Sequence, residues 1–396
     1  MRAQPRIHGD QRHRARCRVK AANLISDREH ASQRCIDVTL LGTGNVGKAV
    51  LQRLAQWDAA GFNHGLRITH VANSRIALTA PDEGVEAEDA QGFFAAYQAG
   101  DDLSQRRASL QCDVKKPTLD LTIAQTPHIV IDATASEAVT ARHPTWLADG
   151  VHVVTACKLA QGTDLGKWKS VQTGRQFAQY GDSATVGAGL PLLRSIRELR
   201  QGGDRVTGIA GVLSGTLAWL FNQYDGMRPF SDLVRQARES GYTEPDPRDD
   251  LCGEDVKRKI IILARAAGVE IDADEVEVTS LVPAELQAVS SELVDANLHL
   301  LDQPLRERFA QAYKNREKLV FIAELKVVDG KYRATVGLQA LPLDHPLVGG
   351  SGTDNKVAIW SDRYNVQPLV IQGPGAGAEV TAAGLLDDAL RIARSL

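Results

Sequence analysis

The segment IDVTLLGTGNVGKAVLQRLAQ, residues 36–56, decides the fold class. Its first six residues, Ile36 to Leu41, form an apolar run of strand length that leads straight into Gly42-Thr-Gly-Asn-Val-Gly47. Lys48 to Gln56 then carries apolar residues at helical spacing. Strand, glycine turn and helix in this order open a dinucleotide-binding βαβ unit. Gly42 permits the tight turn, and Gly44 lets the backbone approach a pyrophosphate. Gly47 lets the helix pack close to the strand, with its N-terminal amides aimed at the phosphates.

Outward from this segment the pattern repeats. Leu66 to Ala72 reads as the second strand, and His128–Ala133 and Val151–Thr155 read as two more, separated by a helical stretch from Glu137. Strands alternating with helices predict a Rossmann-type, doubly wound parallel sheet, an α/β architecture. At the end of the second strand an NAD site usually has an acidic residue for the ribose 2′-hydroxyl, but this chain has Asn73-Ser-Arg75. A carboxylate would repel a 2′-phosphate, whereas Arg75 can pair with it, so NADP(H) is favoured over NAD(H).

From about residue 190 the character becomes α+β. Helices are expected at 215–226, 229–240 and 253–267, and Lys318–Leu338 reads as a hairpin turning on Asp329-Gly330. Ala378–Leu396 has helical spacing, and Gly373-Pro-Gly-Ala-Gly377 before it provides a connection that swings this helix back onto the first domain. The expected organisation is a basic extension at 1–35, an NAD(P)-binding domain at 36–185 and an α+β substrate-binding and dimerisation domain at 186–340. Residues 341–396 are expected to return to the nucleotide-binding domain. No appended regulatory domain is expected.

Composition narrows the function classes. A formal net charge of -3 leaves no overall basic field, so nucleic acid is not an expected partner. No apolar run approaches the roughly 18 residues of a spanning helix, so neither is a membrane. Cys17, Cys35, Cys112, Cys157 and Cys252 are scattered without a CxxC pair, which fits a reducing cytoplasm better than a disulfide framework or a zinc site. The first 35 residues are rich in arginine and lack periodicity. An organelle transit peptide is one reading; the favoured one is a disordered extension or a misplaced start.

The densest constellation is GYTEPDPRDDLCGEDVKRK, residues 241–259. Pro245 and Pro247 stiffen a loop that displays Glu244, Asp246, Asp249 and Asp250, and a helix starts near Gly253. On that helix Asp255 and Lys259 share a face, while Lys257 points to nearly the opposite side. Ile262, Leu263 and Ala266 continue close to the Lys259 face, so this lysine is sheltered and its pKa lowered, which suits proton transfer near neutral pH. The alternative for this segment alone is a solvated acidic loop followed by a surface ion pair. Lys158 follows the strand ending at Thr155, at the carboxyl edge of the sheet, where ligands of such folds bind. Cofactor, lysine and acidic loop together suit a small substrate bearing both ammonium and carboxylate.

Taken in order, GTGNVG (42–47), ANS (72–74), VVTACK (153–158), ATVGAGLP (184–191), GVLSGTL (211–217), GYTEPDPRDDL (241–251), DVKRK (255–259) and GPGAG with TAAG (373–384) resemble homoserine dehydrogenase. The resemblance is to the dehydrogenase half of bifunctional aspartokinase–homoserine dehydrogenases, with no kinase domain expected here. It implies NADPH-dependent interconversion of aspartate semialdehyde and homoserine, by a homodimer or homotetramer. It also implies that Lys259 exchanges the proton at the carbinol oxygen, assisted by Lys158. Glu244 and Asp255 would bind homoserine, with Asp250, Thr216 and Gly241 lining the site. The cofactor would be held by Gly42, Gly44, Asn45, Val46, Gly47, Arg75, Thr134, Ala135, Lys158 and Gly377. The same resemblance implies a sodium ion on the backbone carbonyls of Ser183, Val186, Ala188 and Leu190. Two departures stand out: Cys157 where the family usually has asparagine, and Ser183 where glutamate is frequent.

Two other functions compete. Aspartate-semialdehyde dehydrogenase chemistry would need a cysteine nucleophile, Cys157 or Cys252. A catalytically silent NADP-binding regulator would bind cofactor without turning over homoserine.

Overall fold

The computed structural model describes residues 35–104, 110, 112–120, 127–350 and 352–396. The expected basic extension thus lies outside the described residues, apart from Cys35. In the first domain the glycine segment forms β1 (Ile36–Leu41) and α1 (Asn45–Ala59). There follow β2 (Leu66–Ala72), β3 (Ala77–Thr79), α2 (Ala87–Ala99), β4 (Asp113–Lys115) and β5 (His128–Asp132). Next come α3 (Glu137–Thr140), α4 (His143–Ala148), β6 (His152–Thr155), α5 (Leu165–Gly174) and β7 (Tyr180–Gly181). The strands form one sheet in the order β4-β3-β2-β1-β5-β6-β7. Pairing is parallel from β2 through β7. Every residue of β5 is buried, as expected for a strand covered by helices on both faces. The edge differs from the all-parallel expectation, because β3 and β4 add to β2 antiparallel. Three-residue edge strands carry too little periodicity to be read in advance.

The second domain contains α6 (Leu192–Gln201), β8 (Val206–Val212), α7 (Gly215–Gln223), α8 (Phe230–Glu239), α9 (Arg248–Leu251) and α10 (Glu254–Ala266). After β9 (Val276–Val278) and short helical turns come α11 (Asp302–Asn315), β10 (Glu317–Val328) and β11 (Lys331–Pro342). β12 (Asn355–Ser361), β13 (Leu369–Gly373) and α12 (Ala378–Ser395) complete the chain. The second sheet runs β13-β12-β8-β10-β11-β9. Asp329 and Gly330 both have positive φ at the β10–β11 turn, as a tight hairpin of right-twisted strands requires. One face of this sheet is covered by α10 and its neighbours, whose Ile260, Ile261 and Leu263 are fully buried with Phe321 and Leu325.

The expected boundary at 341 needs correction. β12 and β13 belong to the second sheet, where β12 pairs centrally with β8, and only α12 crosses back. α12 buries Leu385, Leu386, Ala389 and Ile392 in one core with Val50, Leu51 and Leu54 of α1.

Candidate active site

At the carboxyl edge of the first sheet the loops are set by buried polar residues. Asp132, fully buried at the end of β5, accepts from the Thr134 amide (2.9 Å) and hydroxyl (2.6 Å). It also accepts from the Thr155 hydroxyl at 3.0 Å, and that hydroxyl in turn accepts from the Cys157 amide at 2.9 Å. One carboxylate therefore shapes both the loop bearing Thr134 and the loop leading to Lys158. On the other side of β1, the Asn73 side-chain amide donates to Thr43 Oγ1 at 3.2 Å, while its oxygen accepts the amides of Arg75 and Ile76. This turn leaves Arg75 exposed at the sheet edge.

Two glycines of the loop are fixed by close packing of turn and helix. Gly42 has φ +98°, and a Cβ there would lie 2.7 Å from the Ala133 carbonyl oxygen. A Cβ on Gly47 would lie 1.8 Å from the Gly42 carbonyl oxygen, so helix and turn could not meet. Gly44, in contrast, faces open space. No side chain caps α1, so its first-turn amides are not taken by a protein side chain.

A cleft of about 1250 Å³ lies between the two domains. The first domain contributes Asn45, Val46, Thr134, Ala135 and Lys158 to its lining, and the second contributes Thr216, Gly241, Glu244, Asp250, Asp255 and Lys259. Gly377, from the connection before α12, completes it. Arg75 and the three loop glycines are not among the lining residues, and Lys257 is absent from it too. Sequence reading missed Thr353 and Ala376, which line the same cleft from the segments flanking β12 and β13. Ala376 sits inside the GPGAG motif, but nothing in the local pattern around Thr353 distinguishes it from other loop residues.

At the centre Asp255 holds two lysines. Its Oδ2 is 2.8 Å from Lys259 Nζ and its Oδ1 is 3.5 Å from Lys158 Nζ. Burial opposes its ionisation, but the Lys259 and Lys158 ammoniums outweigh that and hold its pKa at about 2. The Lys259 side chain is 11% exposed and also donates to the Leu213 carbonyl at 2.6 Å. Burial pushes its pKa down, and Asp255 only partly opposes this.

The acidic loop is less uniformly displayed than its sequence suggests. Asp246 turns back onto Arg248, which reaches it from Nε and Nη2 and also donates to the carbonyls of Leu286, Gln287 and Val289. Asp246 is therefore spent on shaping the loop, which is not wholly irregular either, since Arg248–Leu251 is helical. Asp250 turns inward. It accepts from Thr216 Oγ1 at 2.9 Å and from the Glu244 amide at 2.8 Å, and burial raises its pKa. Glu244 itself is exposed at the cleft.

The remaining candidates divide. Cys157 is 4% exposed, accepts from Thr140 Oγ1 at 3.2 Å, and burial raises its thiol pKa. Cys252 borders the cleft with its thiol turned to the Asp249 carbonyl. Among the described lining residues there is no histidine to activate either thiol, which counts against cysteine-nucleophile chemistry. In the segment named for sodium, Ser183 donates from its amide (2.8 Å) and hydroxyl (2.9 Å) to buried Asp388 of α12. The Leu190 carbonyl accepts the Leu192 amide, and the Ala188 carbonyl faces Gly384. Val186 is buried beside them.

A family profile described as "Homoserine dehydrogenase" matches residues 191–390, and one described as "Homoserine dehydrogenase, NAD binding domain" matches residues 42–175. The homoserine dehydrogenase of Saccharomyces cerevisiae is 34% identical over 380 residues, covering 92% of this chain and 100% of that protein. A chloroplastic bifunctional aspartokinase/homoserine dehydrogenase 1 of Zea mays is 36% identical over 394 residues, covering 96% of this chain. The chain spans 40% of that bifunctional relative's length. A hyperthermophilic archaeal homoserine dehydrogenase solved in complex with NADPH shares the fold with a TM-score of 0.66 at 18% identity, covering 91% of this chain and 98% of that one.

Proposed function

Because the chain belongs to the homoserine dehydrogenase family, we propose that it interconverts L-aspartate 4-semialdehyde and L-homoserine with NADP(H) in amino-acid biosynthesis. The observation that carries the reading is the Lys158–Asp255–Lys259 group, facing the glycine-loop helix across one cleft. A bound nicotinamide would supply the hydride to the aldehyde carbon, or accept it from the carbinol. The chain's own work is to hold the substrate and manage one proton. Lys259 gives its proton to the oxygen as negative charge grows there during reduction, and takes it back during oxidation. Asp255 fixes the Lys259 ammonium, and Lys158 adds positive charge beside the reacting oxygen. Glu244 takes the substrate ammonium; its exposure at the cleft and the anchoring of its backbone amide on Asp250 support that role.

NADP(H) in preference to NAD(H) is supported by the absence of a carboxylate after β2, by the free edge position of Arg75, and by the NADPH bound in the archaeal relative. A sodium ion on the carbonyls of Ser183, Val186, Ala188 and Leu190 rests on family resemblance alone. Two of those oxygens already face protein groups, and replacing sodium by potassium tests the idea through any loss of activity. Assembly as a homodimer or homotetramer and a cytoplasmic site belong to the same proposal; the free thiols of Cys35, Cys112, Cys157 and Cys252 support a reducing compartment.

The test is the absorbance of NADPH formed from NADP and L-homoserine. Turnover that survives iodoacetamide is the expected result. Cofactor binding without turnover would favour the silent regulator, and loss of activity on alkylation would favour a cysteine nucleophile.

A further inference from the structure

Arg265 lies on α10, the helix that carries Asp255 and Lys259, and it is 2% exposed. Among the described residues no carboxylate pairs with it. Its guanidinium is held by carbonyls instead: Nη1 donates to Gln161 at 2.8 Å, Nη2 to Thr163 at 2.7 Å and to Ile271 at 2.9 Å, and Nε to Ile271 at 3.2 Å. The Trp168 ring covers it, 5.7 Å from centroid to guanidinium carbon. Burying a charge this deeply is costly, and the planar fork recovers that cost only where several acceptors are placed to meet it.

Two of those acceptors belong to the turn that begins at Lys158. The Gly162 amide donates to the Lys158 carbonyl at 2.7 Å and the Gln161 amide to the same oxygen at 3.2 Å, so this turn is tight. It also sits flush on α10, because a Cβ on Gly162 would lie 2.8 Å from the Arg258 carbonyl oxygen. The contacts form a closed loop: Arg265 to the 161–163 carbonyls, back along the turn to Lys158, across to Asp255, and along α10 through Lys259 to Arg265.

We propose that Arg265 is a positioning residue, clasping the Lys158 turn to α10 and so setting the spacing of Lys158, Asp255 and Lys259. The inference rests on the reading of those three residues given above. Lys259 is faced by Asp255 from its own helix and by Lys158 and Asp250 from other segments, and it is shielded from water. If the clasp loosens, Lys158 withdraws, Asp255 turns wholly to Lys259, and water enters. All three changes favour the Lys259 ammonium. Oxidation of homoserine needs Lys259 unprotonated, so the acid limb of its pH profile moves to higher pH.

Two variants test this from opposite sides. Arg265→Lys keeps the charge but loses the fork, and Gly162→Ala lifts the turn while Arg265 stays. Both are assayed for kcat and KM across pH. Lys158 and Lys259 are also labelled with acetic anhydride across pH in the protein without substrate, and read by mass spectrometry. The expected result is a kcat loss of roughly ten- to a hundredfold, the scale of a small misplacement at a reacting centre, with little change in the KM for NADP. The acid limb moves up, Lys158 labels faster, and the Lys259 labelling curve moves to higher pH. A fall in melting temperature with both curves unmoved would make Arg265 merely structural, and a shift to lower pH would overturn the proposal. If Arg265→Lys does not fold, Gly162→Ala decides alone. If the native protein fails to turn over homoserine, the proposed function fails, while the labelling still reads the clasp.

Discussion

Replacing Asp255 with asparagine keeps the side chain's size but removes the one negative charge between two lysines. The carboxylate sits 2.8 Å from Lys259 Nζ and 3.5 Å from Lys158 Nζ, and its pKa is held at about 2 against an ordinary 3.8. That difference corresponds to about 2.5 kcal/mol, at roughly 1.36 kcal/mol per pH unit. The side chain is 44% exposed, however, and solvent screening reduces the usable part to roughly 1–1.5 kcal/mol. Without this attraction the Lys259 ammonium is harder to keep, so its pKa falls further. The assay is the initial rate of NADP reduction by L-homoserine across the neutral and alkaline range, resolved into kcat and KM. The acid limb of kcat should move to lower pH, and the homoserine KM should rise roughly tenfold if Asp255 also touches substrate. A limb that stays in place, or moves up, would refute the electrostatic coupling of Asp255 to Lys259.

Other expectations follow from the same geometry. Lys259→Ala should lower turnover by roughly a hundredfold or more and leave cofactor affinity nearly unchanged, whereas Lys257→Ala, outside the cleft lining, should be mild; comparable losses in steady-state kinetics would contradict the face assignment. Arg75→Ala should weaken NADP(H) binding by about 1–3 kcal/mol and NAD(H) far less, measured by fluorescence titration of both cofactors. His128, buried on β5 and bonded to Thr39 Oγ1, has its pKa pushed down to about 4 by burial. The unfolded chain therefore takes up this proton first, so stability is full above about pH 6.5 and falls, by at most about 3 kcal/mol, as pH drops toward 4. Thermal melts should show that slope flattened in His128→Gln.

How much of this was legible in the sequence depended on how local each feature is. The β1 turn and α1 could be read because Gly47 answers to Gly42 within the same segment, although Gly42 itself also meets Ala133 after the distant β5. The shared face of Asp255 and Lys259 could be read because helix geometry alone places residues four apart together. Asp246 could not, since nothing periodic says that it folds back onto Arg248 instead of facing the cleft. The acceptor for Lys259 on Leu213 is a main-chain carbonyl, and any residue would supply one. β12 was assigned to the wrong domain because its partner, β8, is distant in sequence. Arg265 gives no local signal, because two of its acceptors, the Gln161 and Thr163 carbonyls, lie on the other domain.

The return of α12 has a consequence for how the molecule is assembled. Leu385, Leu386 and Ala389 complete a core whose other members include residues of β1, β2, α1, α2 and β5. The bond from Ser183 to Asp388 spans 205 positions of chain. On the ribosome, the nucleotide-binding half therefore emerges with an apolar flank bare, and must wait for the whole second domain before it is sealed. Its final closure is a late, non-local event that joins both halves at once. Weakening α12 should thus slow maturation and expose the first half to aggregation, even where the second domain has already folded.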